Sequence, residues 1–146
     1  PAQQNETLNV VEVVNLALDI FTEDYLLFEC ASQEIIAKLD RTQLIRIITN
    51  LVKNAIQSII HSQNPVIRIC LDDDEDNVIV TVSDNGHGIT EENKPKVFEP
   101  KFTTKTSGMG LGLPMIKNII ETYKGSIDFD SVEGSGTIFK VVLPKS

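Results

Sequence analysis

The chain has 146 residues, 41% of them hydrophobic, which suits one globular domain with a real core and leaves too little for two. Thirteen basic residues against twenty-one acidic ones give a net charge of −8, which argues against a general nucleic-acid or anionic-membrane binder; any bound polyanion must be held locally. Cys30 and Cys70 are too few for a disulfide framework, neither forms a zinc-like spacing with His61 or His87, and no apolar run approaches the roughly 18 residues of a membrane span. The expectation is a cytoplasmic domain with reduced thiols.

Residues 9 to 21 predict a helix, because Val10, Val13, Val14, Ala17, Leu18 and Phe21 recur at three- and four-residue spacing. Tyr25–Cys30 and Glu34–Leu39 predict two short strands. Asp40 then predicts the N-cap of a long helix from Arg41 to Ile60. On that helix Arg46, Thr49, Asn50, Lys53, Asn54, Gln57 and Ser58 fall within about half of the circumference, and the rest is apolar. Asn50 and Asn54 are i,i+4 neighbours, with Asn54 at the seam where a helix edge can line a cleft. An amide oxygen there suits a hard cation such as Mg²⁺, although an ordinary amphipathic helix with two surface amides fits the same pattern.

The runs Val66–Leu71 and Val78–Ser83 predict strands flanking the acidic "DDDEDN", which reads as a solvated hairpin tip. The second run leads into "VSDNGHGI". Asp84 at that strand end could accept a hydrogen bond from a flat donor such as an adenine amino group, with Gly86 and Gly88 leaving room for the ring. A plain Asp-Asn-Gly turn is the alternative. His87 has no carboxylate placed in sequence to orient it, so a catalytic role has little support.

Next comes "FTTKTSGMGLGLPMIKNII", with Gly108, Gly110 and Gly112 ahead of Pro114. Proline is tolerated in a first helical turn, where its missing N–H would be unpaired anyway, so Pro114 predicts a helix start. Met115, Ile116, Ile119, Ile120 and Tyr123 continue at helical spacing, and Gly125 predicts a left-handed stop after Lys124. The glycines then precede a helix N-terminus, whose free N–H donors suit a phosphate. G-x-G-x-G is not the dinucleotide fingerprint, and no G-x-x-x-x-G-K-[ST] occurs. A flexible loop with a helix cap also fits the glycines alone. Ser126–Phe129 and Thr137–Leu143, joined by "DSVEGSG", predict two last strands. Strands of this number with helices outside them predict an α/β sandwich.

"NLVKNA", "DNGHG", "VFEPKFTTK", "GMGLGL" and "GSGT", in this order, resemble the N, G1, F, G2 and final Gly-Thr boxes of the ATP-binding domain of sensor histidine kinases. The wider superfamily includes the ATPase domains of gyrase, Hsp90 and MutL. The resemblance spans nearly the whole chain, most firmly residues 40 to 143. It implies a two-layer α/β sandwich, with a mixed, mainly antiparallel sheet of about five strands on about three helices and a mobile ATP lid. It further implies Mg²⁺-ATP binding and transfer of the γ-phosphoryl group to a histidine.

Carried over by position, the resemblance makes Asn54 the Mg²⁺ ligand, with Asn50 one turn earlier near the phosphates and Lys53 beside them. Asp84 reads the adenine amino group, Gly86, Gly88 and Ile89 shape the pocket, and Thr137 supports it. Phe98 and Phe102 anchor the lid. Thr103, Thr104, Lys105, Gly108, Met109, Gly110, Leu111, Gly112 and Leu113 form its end and the phosphate contact, Lys105 reaching the terminal phosphate. Catalysis is expected from Asn50, Asn54 and Lys105. Where the ATPase relatives carry a water-activating glutamate, this chain has Asn50, and an amide is no general base.

Gln57 and Ser58 depart from the family, which commonly has a basic and an aromatic residue there; weight shifts to Lys105 and Lys53. The stretch from Phe21 to Asp40 is also shorter than usual. Neither His61 nor His87 sits in the context of a phosphoacceptor, so the hairpin that carries the phosphoacceptor histidine is expected outside residues 1 to 146. The expectation is one catalytic and ATP-binding domain, residues 1 to 146, of a longer, homodimeric sensor kinase. Its partners would be ATP, the histidine-bearing dimerisation domain and a downstream response regulator, with no nucleic acid; the isolated domain would be monomeric. The rivals are a degenerate nucleotide-binding switch and an ATPase using another base, Glu34 or Glu99.

Overall fold

The computed structural model describes residues 4–100 and 109–146; the expected lid residues Phe102, Thr103, Thr104, Lys105 and Gly108 lie outside them, as do the surroundings of Met109, Gly110 and Leu111. In chain order the elements are β1 (Asn5–Asn9), α1 (Val10–Leu18), β2 (Leu26–Cys30), β3 (Ile36–Asp40), α2 (Arg41–Ser58), β4 (Ile67–Asp73), β5 (Asn77–Asp84), a 3-10 turn (Lys94–Lys96), α3 (Met109–Thr122), β6 (Ser126–Val132) and β7 (Gly136–Pro144). Five strands form one sheet in the order β2-β4-β5-β7-β6, and β1 and β3 form a second. Only the β2–β4 pairing in the large sheet is parallel, so the sheet is mixed and mainly antiparallel.

The two layers follow from residue periodicity. Along β5, Val78, Val80 and Val82 are buried while the residues between them are not, the period-2 pattern of a sheet covered on one face. The helices supply the cover. Ile47, Ile48, Leu51 and Val52 of α2 and Ile116 and Ile120 of α3 are all essentially inaccessible, and with the inward strand residues they form one continuous core. The opposite sheet face carries Arg68, Asp128 and Lys140 in solvent. No helix among the described residues is long and apolar enough to cross a membrane.

Asp40 caps α2 as its sequence position predicts, accepting from Gln43 N–H at 3.1 Å through Oδ1. Its other oxygen takes Gln4 N–H at 2.8 Å, and its own N–H donates to Tyr123 Oη at 2.9 Å, so one residue ties β3, the chain start and the end of α3 to the start of α2. The acidic tip between β4 and β5 is exposed, with Asp74 capping its own turn by accepting from Asp76 N–H and Asn77 N–H. Asp73, at its edge, pairs with Lys145 at 2.6 Å.

Four local readings need correction. The strand β1 was not expected, because "NETLN" has one apolar residue; pairing with β3, Asn5 opposite Asp40 through Asn9 opposite Ile36, makes it a strand. The first helix ends at Leu18 rather than continuing to Phe21. The last helix begins at Met109, leaving Pro114 inside it rather than at its start. Packing overrides the proline signal there, since Leu113 and Ile116 bury against the rest of the core while Gly112 lies against α2. At the other end Lys124, not Gly125, is left-handed, with φ 63°. Gly125 N–H bonds to Ile120 O at 3.0 Å and Lys124 N–H to Glu121 O at 2.9 Å, a Schellman pair. Glycine at 125 answers a different need: a Cβ there would stand 2.3 Å from Val142 O on β7.

Candidate functional site

β5 ends at Asp84 and the chain turns at once. Asn85 pins the turn to the start of β4, accepting from Val66 N–H at 2.9 Å and donating to Asn64 O at 2.7 Å. The following residues are gripped from both sides. His87 N–H donates to Ser58 O, the last residue of α2, at 3.2 Å, and His87 O accepts from Gly134 N–H of the β6–β7 hairpin at 2.7 Å. Ile89 N–H donates to Ser131 Oγ of β6 at 2.8 Å. Gly88 has φ 74°, a left-handed value that would strain any side chain, and a Cβ on it would stand 2.3 Å from Val132 O.

Asp84 Oδ1 accepts Gly86 N–H at 2.8 Å and the Ser58 hydroxyl at 3.2 Å. Burial is the largest influence on this carboxyl and pushes its pKa up; the Gly86 N–H, the Ser58 hydroxyl, the nearby His87 and the Thr137 N–H pull the other way. A carboxylate held half in the protein with several donors on one side is suited to reading a further donor on the other. Thr137 sits opposite Asp84 in the β5–β7 register and is buried. Its hydroxyl lies 2.8 Å from Ser131 Oγ, which also contacts Gly136 O at 3.0 Å. Ser131 thus joins Ile89, Gly136 and Thr137 in one network beside the turn.

α2 runs past this cluster. Asn50, Asn54 and Ser58 follow one another at four-residue steps along one row of the helix, spanning about 12 Å at 1.5 Å per residue. At one end Ser58 meets Asp84. At the other, Asn50 donates through Nδ2 to Arg46 O at 2.8 Å and turns its Oδ1 toward Gly112, near the start of α3. Asn54 lies between them, half-buried, with no side-chain hydrogen bond among the described residues. Lys53 is exposed beside it.

The structure thus brings together Asp84, Gly86, Gly88, Ile89 and Thr137 around the end of β5, and Asn50 with Gly112 where α2 faces α3, with Asn54 on the row that joins them. Leu113 faces the core. Phe98 stands apart, its ring edge-on to Phe129 at 5.8 Å and Phe139 at 6.4 Å, with Lys117 Nζ 4.9 Å above it. It anchors the segment that leads to residue 100 onto β6, β7 and α3. His61, Glu34 and Glu99 are exposed, and His87 turns its Nδ1 to Gly88 O at 2.7 Å. Sequence reading missed Ser131 altogether. The available signal was a serine at the inward position two residues past Phe129, where strand alternation calls for an apolar side chain.

The family described as "Histidine kinase-, DNA gyrase B-, and HSP90-like ATPase" matches residues 39–146, about three quarters of the chain. The sensor histidine kinase ZraS of Salmonella typhimurium is 32% identical over 145 residues, covering 95% of this chain and 31% of that protein. Sporulation kinase A of Bacillus subtilis is 42% identical over 106 residues, 73% of this chain and 17% of that one. The chain therefore spans less than a third of the length of these relatives. Among solved structures, the nucleotide-free catalytic domain of histidine kinase ThkA superposes with TM-score 0.86 at 33% identity, covering 98% of this chain and 97% of that domain. ThkA in complex with the response regulator protein TrrA gives 0.80 at 30% identity, over 97% of this chain and 42% of that one. The match in sequence over most of the chain, and in fold over nearly all of it, makes this protein a member of the histidine kinase-, DNA gyrase B- and HSP90-like ATPase family, as a catalytic domain of the sensor histidine kinase kind.

Proposed function

We propose that this chain binds Mg²⁺-ATP and donates the γ-phosphoryl group to a histidine on a separate dimerisation domain of a longer sensor kinase. The observation that carries the reading is the row Asn50–Asn54–Ser58, which links Gly112 near the start of α3 to the half-buried end of β5 at Asp84. Adenine lies at the Asp84 end, its amino group on the free carboxylate oxygen, with Gly86, Gly88, Ile89 and Thr137 around the ring. The phosphates lie at the other end, against Asn50, Lys53, Gly108, Gly110, Gly112 and the first N–H groups of α3. Lys105, with Thr103 and Thr104, is assigned to the terminal phosphate, and Phe98 and Phe102 to holding the lid.

The residues present fit a cation of the Mg²⁺ type. Asn54 offers a half-buried amide oxygen with no partner among the described residues, and those residues hold no cluster of three His, Cys, Asp or Glu that could bind a metal unaided. A cation that keeps most of its ligands as water and phosphate oxygens needs no more from the protein. When bound, Mg²⁺ supplies neutralisation of charge on the phosphates. The chain's own part is positioning. Asn50 stands four residues before Asn54 with its amide donating to Arg46 O, and it has no basic lone pair for activating water. That favours transfer over hydrolysis, since phosphoryl transfer depends mostly on alignment and charge stabilisation.

The acceptor histidine lies on the parent's dimerisation domain, which makes the parent a dimer and this chain by itself a monomer; the response regulator draws the phosphoryl group from that histidine. The test is to mix the chain with a histidine-bearing dimerisation fragment and γ-labelled ATP. Acid-labile, base-stable label on the fragment supports the reading. ATP binding without label on the fragment points to a nucleotide switch, and phosphate release without any fragment points to an ATPase.

A further inference from the structure

Ser58, the last residue of α2, bonds the carboxylate proposed to read the base, yet none of the roles assigned above falls to it. It makes two contacts with the turn after β5, through different atoms. Its backbone oxygen accepts His87 N–H at 3.2 Å, and its hydroxyl donates to Asp84 Oδ1 at 3.2 Å. Gly86 N–H reaches the same oxygen at 2.8 Å. The fit is close, because a Cβ on Gly86 would stand 2.2 Å from Ser58 Oγ. A carboxylate oxygen has two lone-pair sites, so these two donors fill Oδ1 and hold the carboxyl plane in one rotation.

We infer that Ser58 is a positioning residue for purine selection: with Gly86 it saturates Asp84 Oδ1, and so presents Oδ2 as a fixed acceptor for an exocyclic amino group on the base. The inference rests on the proposed reading of Asp84 and adds the source of its orientation. The consequence is selective. A 6-amino purine donates to Oδ2, whereas a 6-oxo purine brings an acceptor against it and gains nothing from the fixed rotation. Loss of the hydroxyl therefore weakens a 6-amino nucleotide and leaves a 6-oxo nucleotide as it was.

A second consequence concerns pH. Among the described residues, the groups acting on Asp84 are the Ser58 hydroxyl from α2, the Gly86 N–H and the imidazole of His87 from the turn, and the Thr137 N–H from β7. Burial already raises this carboxyl, and the hydroxyl opposes that rise by bonding the ionised form. Removing the hydroxyl raises it further, so the acid limb of nucleotide binding moves to higher pH. His87 is common to both proteins and cancels in the comparison.

The experiment is calorimetric titration of ADP and of inosine diphosphate, with Mg²⁺ present, into the full chain, Ser58→Ala and Asp84→Asn, with the ADP series repeated down to pH about 5. The alanine improves helix propensity and keeps the backbone bond from His87, so folding is undisturbed. The expected result is about tenfold weaker ADP binding in Ser58→Ala, inosine diphosphate affinity unchanged within about twofold, and an acid limb displaced upward. Equal losses for both nucleotides, or an acid limb that stays where it was, overturn the positioning role. The reading beneath it fails in a different place: if the unaltered chain shows no preference for ADP over inosine diphosphate, or Asp84→Asn binds ADP normally, Asp84 does not read the base at all.

Discussion

Asn50 and Gly112 meet where α2 faces the start of α3: a Cβ on Gly112 would stand 2.7 Å from Asn50 Oδ1. Glycine inside a helix ordinarily destabilises by about 1 kcal/mol relative to alanine, so Gly112→Ala would be a gain in open space. Here the methyl displaces the amide. We expect Gly112→Ala to leave unfolding stability within about 1 kcal/mol of the parent while weakening ATP by about tenfold. In an Asn50→Ala background, where the obstacle is gone, the same change should raise stability by the full helix-propensity increment in urea unfolding.

Asp84→Asn should separate stability from function. The folded carboxyl has a raised pKa, so between its unfolded value and its folded one the native state binds more protons, and the group lowers stability as pH rises through that window. The amide removes this penalty. Unfolding measured at neutral pH should show Asp84→Asn at least as stable as the parent, with the difference vanishing below about pH 4, while ADP affinity falls about 100-fold.

Asp40 should behave in the opposite sense. The Gln4 N–H is the main influence holding its carboxyl below the usual range, helped by the N–H groups of Gln43 and Thr42. A depressed folded pKa gives stability that is present above the unfolded value and lost as pH falls through the folded one. Asp40→Ala should cost about 1–2 kcal/mol at neutral pH, as loss of an N-cap does, and progressively less as the pH drops below about 4. Denaturant unfolding over a pH series reads both.

Ser131→Ala leaves Ile89 N–H without its acceptor inside the protein. A part-buried donor left without its partner costs about 1 kcal/mol, the low end of the penalty for a buried one. The loss should appear locally as well as globally, with amide exchange at Ile89 accelerating more than at Val80 in the centre of β5.

Asn54→Ala should act only through the cation. ADP binding measured with a chelator present should match the parent within about twofold, whereas the strengthening that Mg²⁺ brings to the parent should be lost. A uniform loss with and without Mg²⁺ would place Asn54 in the nucleotide contact instead.

How much of this was legible in the sequence depended on the range of the signal. α2 could be read with its cap and its polar row because Asp40, Asn50, Asn54 and Ser58 belong to one continuous segment, where helical period and capping chemistry are local properties. The strands of the large sheet were legible for the same reason, each carrying its own alternation. The Asp-Asn-Gly-His-Gly turn, and its order among the other boxes, pointed to the place of the proposed nucleotide site before any distance was known.

What tertiary structure decided was everything that depends on residues far apart in the chain. β1 exists because β3 pairs with it some 30 residues later, and no periodicity within "NETLN" announces that. α3 takes in Pro114 because its buried face outweighs a local breaker, and Gly125 is needed for the passage of β7 while Lys124 makes the left-handed turn. The hydroxyls of Ser58 and Ser131 carry no partner that a string of letters can show; folding brings them onto Asp84, Ile89 and Thr137. Helix periods, caps and turns are written in neighbouring residues, whereas hydrogen bonds between the end of α2, the turn after β5 and the β6–β7 hairpin exist only once the chain has closed on itself.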